Sequence, residues 1–555
     1  MRYFDKTGLY YLPLYLGLLF FASSLTPTLI PRNWLIQGVL GGLVMGLGYL
    51  IGRSAVTLWR LMALPEPTGR IAVTLRIVTG LPVAAVVALC LWQARDWQNS
   101  IRSRMGMELE ENVETLQTVA VALAVFALLL LLGRLLLWLF DRVRFWLYRY
   151  MPARTANVAG FVLTGFLLLV ISRDGLLDRV IASLDTSMTI AQKLFDDAPP
   201  APRGEMITGG RGSLVSWEAL GEPGRNYVTQ GPSAADITGF TDRPALQPIR
   251  VYVGRAQAET PQERADLALA ELIRQGGFDR EVLIVAMPTG TGWLDPGAVD
   301  PVEYMHGGDI ATVAVQYSYF QSPLALILET ESGLEQAKAL IDAVHDHWRS
   351  LPRETRPRLY IHGLSLGAWS SMHGTGLYAF LDDPINGAFW AGPPFPSGLW
   401  QSIIASRDAG SPASAPTLRD GQLVRFATHT DDGGGPRGWG PMRIMFLQYA
   451  SDPIVFYEPA SVFRAPDWMN EPPAPDVSPH LLFMPVVTQF QLAVDLALAN
   501  TAPEGHGHAY YAPDYIGPWV AVTDPRDWTP EDTARLIAHC SAGFRMGCDH
   551  NQREG

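Results

Sequence analysis

The chain has 555 residues and a formal net charge of −12. It is too long for one ordinary domain and too acidic for a surface that grips nucleic-acid phosphates, which excludes nucleic acid as a partner. Long apolar runs fill its first third, and the remainder is mixed and rich in Gly and Pro.

A helix crosses a bilayer core with about 20 apolar residues. Five runs read as spans, at 9–29, 34–51, 71–92, 118–139 and, shortest, 158–171. They predict an α-helical transmembrane bundle over 1–173. The first run lacks a small-x-small cleavage site, so it reads as a span and not as a removable signal peptide. Basic residues set the orientation. Arg53, Arg60 and Arg70 follow the second run, and Arg142, Arg144, Arg149 and Arg154 follow the fourth. Glu108, Glu110, Glu111 and Glu114 instead fill the loop between the third and fourth. The alternation predicts an N-terminus inside and the large C-terminal domain outside. Cys90 lies in a span. Cys540 and Cys548 lie close together on the predicted outer side, where an oxidising compartment allows pairing, with two separate thiols as the alternative.

Residues 174–245 read as a connector. A moderately amphipathic stretch at 176–196 is followed by DDAPPAPRGE and a Gly-rich segment. From 246 to 555 strands and helices alternate. PIRVYVG, REVLIVAMP, ATVAVQYSY, PRLYIHG, INGAFWAG and PMRIMFLQYA read as strands. TPQERADLALAELIRQGG, capped by Thr260, the stretch 333–351 and LGAWSSMHGTGLYAF read as helices. Continuous apolar strands alternating with helices imply a mostly parallel sheet covered on both faces, an α/β architecture.

The chemistry centres on Gly363-Leu364-Ser365-Leu366-Gly367, between an apolar strand and a helix. In that context it is a nucleophile elbow, whose tight turn projects the Ser365 hydroxyl above the sheet. Gly363 and Gly367 avoid clashes with neighbouring backbone. A serine nucleophile needs a base, and the base an orienting carboxylate, in the chain order Ser, acid, His. Asp452, at the end of a late strand in Ser451-Asp452-Pro453, fits the acid. Asp431 and Asp432, in a Gly-rich loop, are rivals. In Glu504-Gly505-His506-Gly507-His508, His508 is the preferred base and His506 the alternative. The segment 458–503, rich in Pro and apolar residues, reads as an insertion suited to a lid or a lipid-facing surface. The oxyanion hole is expected from the backbone N–H of Leu366 together with Thr289 and Gly290 of the loop PTGTGW. Neither HExxH, a Cys/His cluster nor an EF-hand loop is present, so no metal and no cofactor are expected.

TPTLIPR, ERADLALAEL, PTGTGW, GDIATVAVQYSY, LYIHGLSLGAWSS, FWAGPPF, SDPI and GHGHAY together resemble a family of bacterial integral-membrane α/β-hydrolases of unassigned function. In that family a multi-span N-terminal domain is joined to a catalytic domain. The resemblance implies a serine hydrolase fold in the bacterial cytoplasmic membrane and the triad Ser365, Asp452 and His508. It supplies no substrate. Leu364 is a departure, since some members carry a polar residue there. The expectation is a membrane-anchored ester hydrolase acting through an acyl-enzyme on a lipid or lipid-linked ester at the outer face, surrounded by membrane lipids. Its oligomeric state is not legible. An acyltransferase with the same triad, and a non-catalytic membrane sensor or transport component, are the alternatives.

Overall fold

The computed structural model describes residues 11–111, 114–152, 155–159, 161–163, 199–319, 330–375, 382–435, 437–541 and 547–548. The chain forms two compact units. One contains Met1–Leu184 and Glu458–Leu498, the other Asp185–Tyr457 and Ala499–Gly555.

The first unit is helical: α1 (Leu12–Ser24), α2 (Trp34–Leu61), α3 (Gly69–Arg104) and α4 (Thr115–Leu147). Three of these, α2, α3 and α4, are long and apolar enough to cross a membrane. The run at 9–29 was expected to be a full span. It yields a helix of 13 residues, about 20 Å long and shorter than a bilayer core of about 30 Å. The prolines of TPTLIPR account for this, because the residue before a proline is pushed out of helical geometry. The run at 158–171 lies largely outside the described residues, as does the amphipathic stretch at 176–196.

Glycine allows the helices to meet closely. A Cβ on Gly17 of α1 would lie 2.8 Å from the Met45 carbonyl of α2. One on Gly42 of α2 would lie 2.6 Å from the Ala122 carbonyl of α4. Ile71, Val78 and Leu81 of α3, and Leu128, Leu131 and Leu135 of α4, are exposed, the pattern of helices solvated by hydrocarbon rather than water.

The segment Glu458–Leu498 belongs to this helical unit. Its helix Val487–Ala497 carries Asp495, whose carboxylate accepts from the Leu29 N–H at 2.9 Å. Gln491 donates to the Thr26 carbonyl at 3.0 Å, and the Ser478 and Ser100 hydroxyls are 2.6 Å apart.

The second unit is built on a seven-stranded sheet. The strands are β1 (Ile249–Val253), β2 (Val282–Met287), β3 (Ile310–Val315), β4 (Arg358–Leu364), β5 (Gly387–Ala391), β6 (Val424–Ala427) and β7 (Arg443–Leu447). Their order is β1-β3-β2-β4-β5-β7-β6, and every pairing is parallel. All residues of β1, β2, β3 and β5 are buried, as expected of strands covered on both faces. The short edge strand β6 was not anticipated. Helix Pro261–Arg274 opens with a capping box in which Thr260 and Glu263 exchange hydrogen bonds. The buried Arg250 of β1 pairs with Asp300 and Glu303 of helix Pro296–Met305, each at 2.7 Å. In such a parallel sheet, sites collect at the carboxyl ends of the strands.

Candidate active site

β4 ends at Leu364, and the next helix, Leu366–Gly374, starts at once. Ser365 bridges them with φ 58° and ψ −124°, a conformation that costs a non-glycine residue about 1–3 kcal/mol. Two close approaches hold the turn. A Cβ on Gly363 would lie 2.3 Å from the Gly367 carbonyl carbon, and one on Gly367 would lie 2.1 Å from the Met287 carbonyl oxygen. Helix and β2 can pack against this elbow only with glycine at both positions. The Ser365 N–H donates to the Ala391 carbonyl at the end of β5 (2.9 Å), and Ser365 is buried.

Asp452 follows β7 and caps the short helix Pro453–Phe456, its Oδ1 accepting from the Ile454 N–H at 2.8 Å. It is fully buried. Its Oδ2 pairs with His508 Nδ1 at 2.7 Å and accepts from the Tyr510 hydroxyl at 2.9 Å. His508 Nε2 has no hydrogen-bond partner among the described residues, which leaves it open to a hydroxyl. The Ser451 hydroxyl accepts from the Gly507 N–H at 3.0 Å and the His508 N–H donates to the Ala499 carbonyl at 2.9 Å, so the histidine loop is fixed from two sides.

Gly392, immediately after Ala391, has φ 51°, and a Cβ there would lie 2.8 Å from His508 Cε1. Ser365 and His508 therefore both adjoin the carboxyl end of β5. His506 instead sits in the turn that bridges to Ala509, its ring 5.2 Å from that of His429. Asp431 lies in an exposed turn, where its carboxylate accepts from the Gly433 N–H, and Asp432 is also exposed.

The loop after β2 corrects one expectation. The Thr289 N–H donates to the Trp293 carbonyl at 2.9 Å, closing the loop on itself and withdrawing that donor from any oxyanion. The N–H groups of Gly290 and Leu366 make no hydrogen bond among the described residues.

A cavity of about 290 Å³ is lined by Leu364, His508, Trp293, Asp295, Tyr510 and Cys540, among others. Leu364, the departure from the expected polar residue, thus gives this cavity an apolar wall. Burial pushes the Asp295 carboxyl up to about 7, partly opposed by the Gly297 N–H, which donates to its Oδ1 at 2.9 Å. Cys540 and Cys548 are joined as a disulfide, and the Cys548 N–H donates to Asp300 at 3.1 Å. Among the described residues no group of three or more His, Cys, Asp or Glu side chains could hold a metal ion.

Tyr510 and Asp295 were missed as members of the site. Tyr510 had a signal, since it closes the GHGHAY motif two residues after His508. Asp295 had none beyond its position just past the PTGTGW loop. His362, inside β4, is no rival base: its Nδ1 is 2.8 Å from the Phe389 carbonyl, and burial lowers it to about 4.

A parallel sheet with a strained serine between β4 and a helix, and an acid–histidine pair on later loops, defines the α/β-hydrolase architecture. The chain matches the models of the alpha/beta-hydrolase family over residues 249–536 and of that family's N-terminus over residues 25–232, and it belongs to this family. No curated protein and no solved structure matches it.

Proposed function

We propose that the protein is a membrane-anchored serine hydrolase that cleaves carboxylic esters of lipids or lipid-linked molecules through an acyl-enzyme. The observation that carries this reading is the 2.7 Å bond between Asp452 and His508 Nδ1, with Nε2 left without a partner beside the strand end that also holds Ser365. In the reaction, Ser365 Oγ attacks the acyl carbonyl while His508 Nε2 takes its proton. The same proton passes to the leaving alkoxide, and water repeats the sequence to release the acid. Asp452 stays anionic and stabilises the imidazolium. The Leu366 and Gly290 N–H groups receive the developing oxyanion.

The apolar helices of the first unit and the apolar wall at Leu364 support a lipid ester as substrate. The distribution of arginines and the disulfide support a catalytic unit on the outer side of a bacterial cytoplasmic membrane.

Labelling with a fluorophosphonate tests the reading. Wild type should be labelled, whereas Ser365→Ala and His508→Ala should not. An impermeant version of the probe should label intact spheroplasts. Absence of labelling in folded wild-type protein would overturn the proposal.

A further inference from the structure

The cavity of about 290 Å³ beside the elbow carries polar groups that the acid–base machinery does not use. Its wall includes His508, Trp293 at the end of the PTGTGW loop, Asp295, and Asn500, Glu504 and Tyr511 on either side of the histidine. In ester cleavage the alcohol departs towards the base that protonates it. A pocket walled by His508 and its own loop is therefore placed to receive the alcohol half of the substrate.

The chemistry of this wall is selective. The Trp293 indole N–H, the Asn500 amide, the Glu504 carboxylate and the Tyr511 hydroxyl make no hydrogen bond among the described residues, and none of these groups is sealed from solvent. Asp295 adds a second carboxyl, whose Oδ1 accepts from the Gly297 N–H at 2.9 Å. The charge of Glu504 contributes to the rise of the Asp295 carboxyl, so the two acids act on one space. Among the described residues no lysine or arginine lines the cavity. The wall is also fixed in advance. The Tyr511 N–H donates to the Tyr449 hydroxyl at 3.2 Å, and the Trp293 carbonyl accepts from the Thr289 N–H at 2.9 Å.

These features separate the kinds of alcohol that could occupy it. A phosphate-bearing alcohol meets two carboxyls and no cation, a like-charge juxtaposition. A plain alkanol displaces water from the polar groups and gives them no partner. An alcohol with further hydroxyls both donates and accepts. It matches N–H and O–H donors set beside amide and carboxyl acceptors, and its C–H faces suit the rings of Trp293 and Tyr511. We infer that this cavity is the alcohol subsite and takes an uncharged, polyhydroxylated alcohol, glycerol or a sugar, as the leaving group. The inference rests on the ester-hydrolase reading above. The ester C–O bond breaks, the alkoxide takes the proton held on His508, and the remaining hydroxyls of the freed alcohol bond to Asn500, Glu504 and Tyr511.

The test uses the full chain in detergent micelles and four esters of one fatty acid: acylglycerol, acylglucose, the propyl ester and acylglycerol phosphate. Release of the fatty acid gives kcat/KM for each. The better of acylglycerol and acylglucose should exceed the propyl ester by at least about tenfold. It should exceed acylglycerol phosphate by at least about thirtyfold at low ionic strength. Which of the two is better identifies glycerol or a sugar as the alcohol. Asn500→Ala, at an exposed position, should reduce the advantage over the propyl ester about threefold. Glu504→Gln, also exposed, should reduce the advantage over acylglycerol phosphate about fivefold. Both variants should unfold at the wild-type temperature. Cleavage of the propyl ester or of acylglycerol phosphate as fast as the polyol esters overturns the inference and leaves the ester-hydrolase reading standing. So do unchanged ratios in both variants, and so does cleavage of none of the four by protein that takes the fluorophosphonate label. No cleavage together with no labelling overturns that reading and the inference with it.

Discussion

Oδ2 of Asp452 serves His508 and Tyr510 together, at 2.7 and 2.9 Å. The tyrosine thus fixes the carboxylate from the side opposite the helix cap, and the histidine receives an acceptor that is already oriented. Replacing Tyr510 by Phe removes one hydrogen bond and keeps the ring, which stacks on Tyr449. The expected loss is about 3–30-fold in kcat/KM on a chromogenic ester, from roughly 1–2 kcal/mol of lost orientation. Asp452→Asn should cost about 10³–10⁴-fold, because the wrong tautomer of His508 is then favoured. If Tyr510→Phe proved as damaging as Asp452→Asn, Tyr510 would have a role beyond holding the acid.

Gly392 separates the serine and the histidine. Gly392→Ala places a methyl 2.8 Å from His508 Cε1 and 2.7 Å from Tyr510 Cε2, at a backbone φ of 51°. His508 has to move, so kcat/KM should fall at least about 100-fold, as for a displaced catalytic group. Fluorophosphonate labelling should slow in parallel. A variant that kept both rates would show that the histidine loop yields at no cost.

Asp295 should make stability fall with rising pH. Its folded value, about 7, lies above the ordinary carboxyl value of 3.8, so the folded state holds a proton that the unfolded state has released. Its contribution is complete below about pH 4, declines up to about pH 7 and is constant above that. In detergent, thermal unfolding of wild type minus that of Asp295→Asn should drop across this window by an amount on the order of a few kcal/mol. A flat difference would mean that Asp295 is ionised throughout.

The Cys540–Cys548 disulfide closes a short loop, its cysteines separated by 8 positions in sequence, beside Asp300. Chain entropy assigns such a loop about 2–3 kcal/mol. Replacing both cysteines by Ser should lower the unfolding temperature by a few degrees. Because Cys540 lines the cavity shared with His508, KM should change more than kcat. Unchanged stability and kinetics would rule out both effects.

Much of this was legible because strong local chemistry matched the sequence pattern. Val282–Met287 and Ile310–Val315 are apolar runs bounded by polar turns, and the elbow motif joins two such signals. The pairing of Asp452 with His508 follows an expectation drawn from chain order and flanking Pro and Gly. β6 was not, because Val424–Ala427 is four residues with a charged Arg425 in the middle, and edge strands need little apolar content. The engagement of the Thr289 N–H depends on how PTGTGW closes, which composition does not specify. The short α1 followed from proline positions that a count of apolar residues ignores. The packing partner of 458–498 is hundreds of residues away in sequence, beyond the reach of any local pattern.

That last pairing constrains how the catalytic unit can be isolated. The chain leaves the sheet unit at Tyr457, five residues after Asp452, and re-enters at Ala499, nine residues before His508. A truncation that removes the N-terminal helices therefore still carries 458–498, now stripped of Leu29, Thr26 and Ser100. Asp495 and Gln491, buried without solvent, would be left on a bare apolar surface. Such a fragment should aggregate, while one in which a short polar loop also replaces 458–498 should stay in solution. Clipping the N-terminus alone amputates half of a folded body, and inactivity of that product says nothing about Ser365.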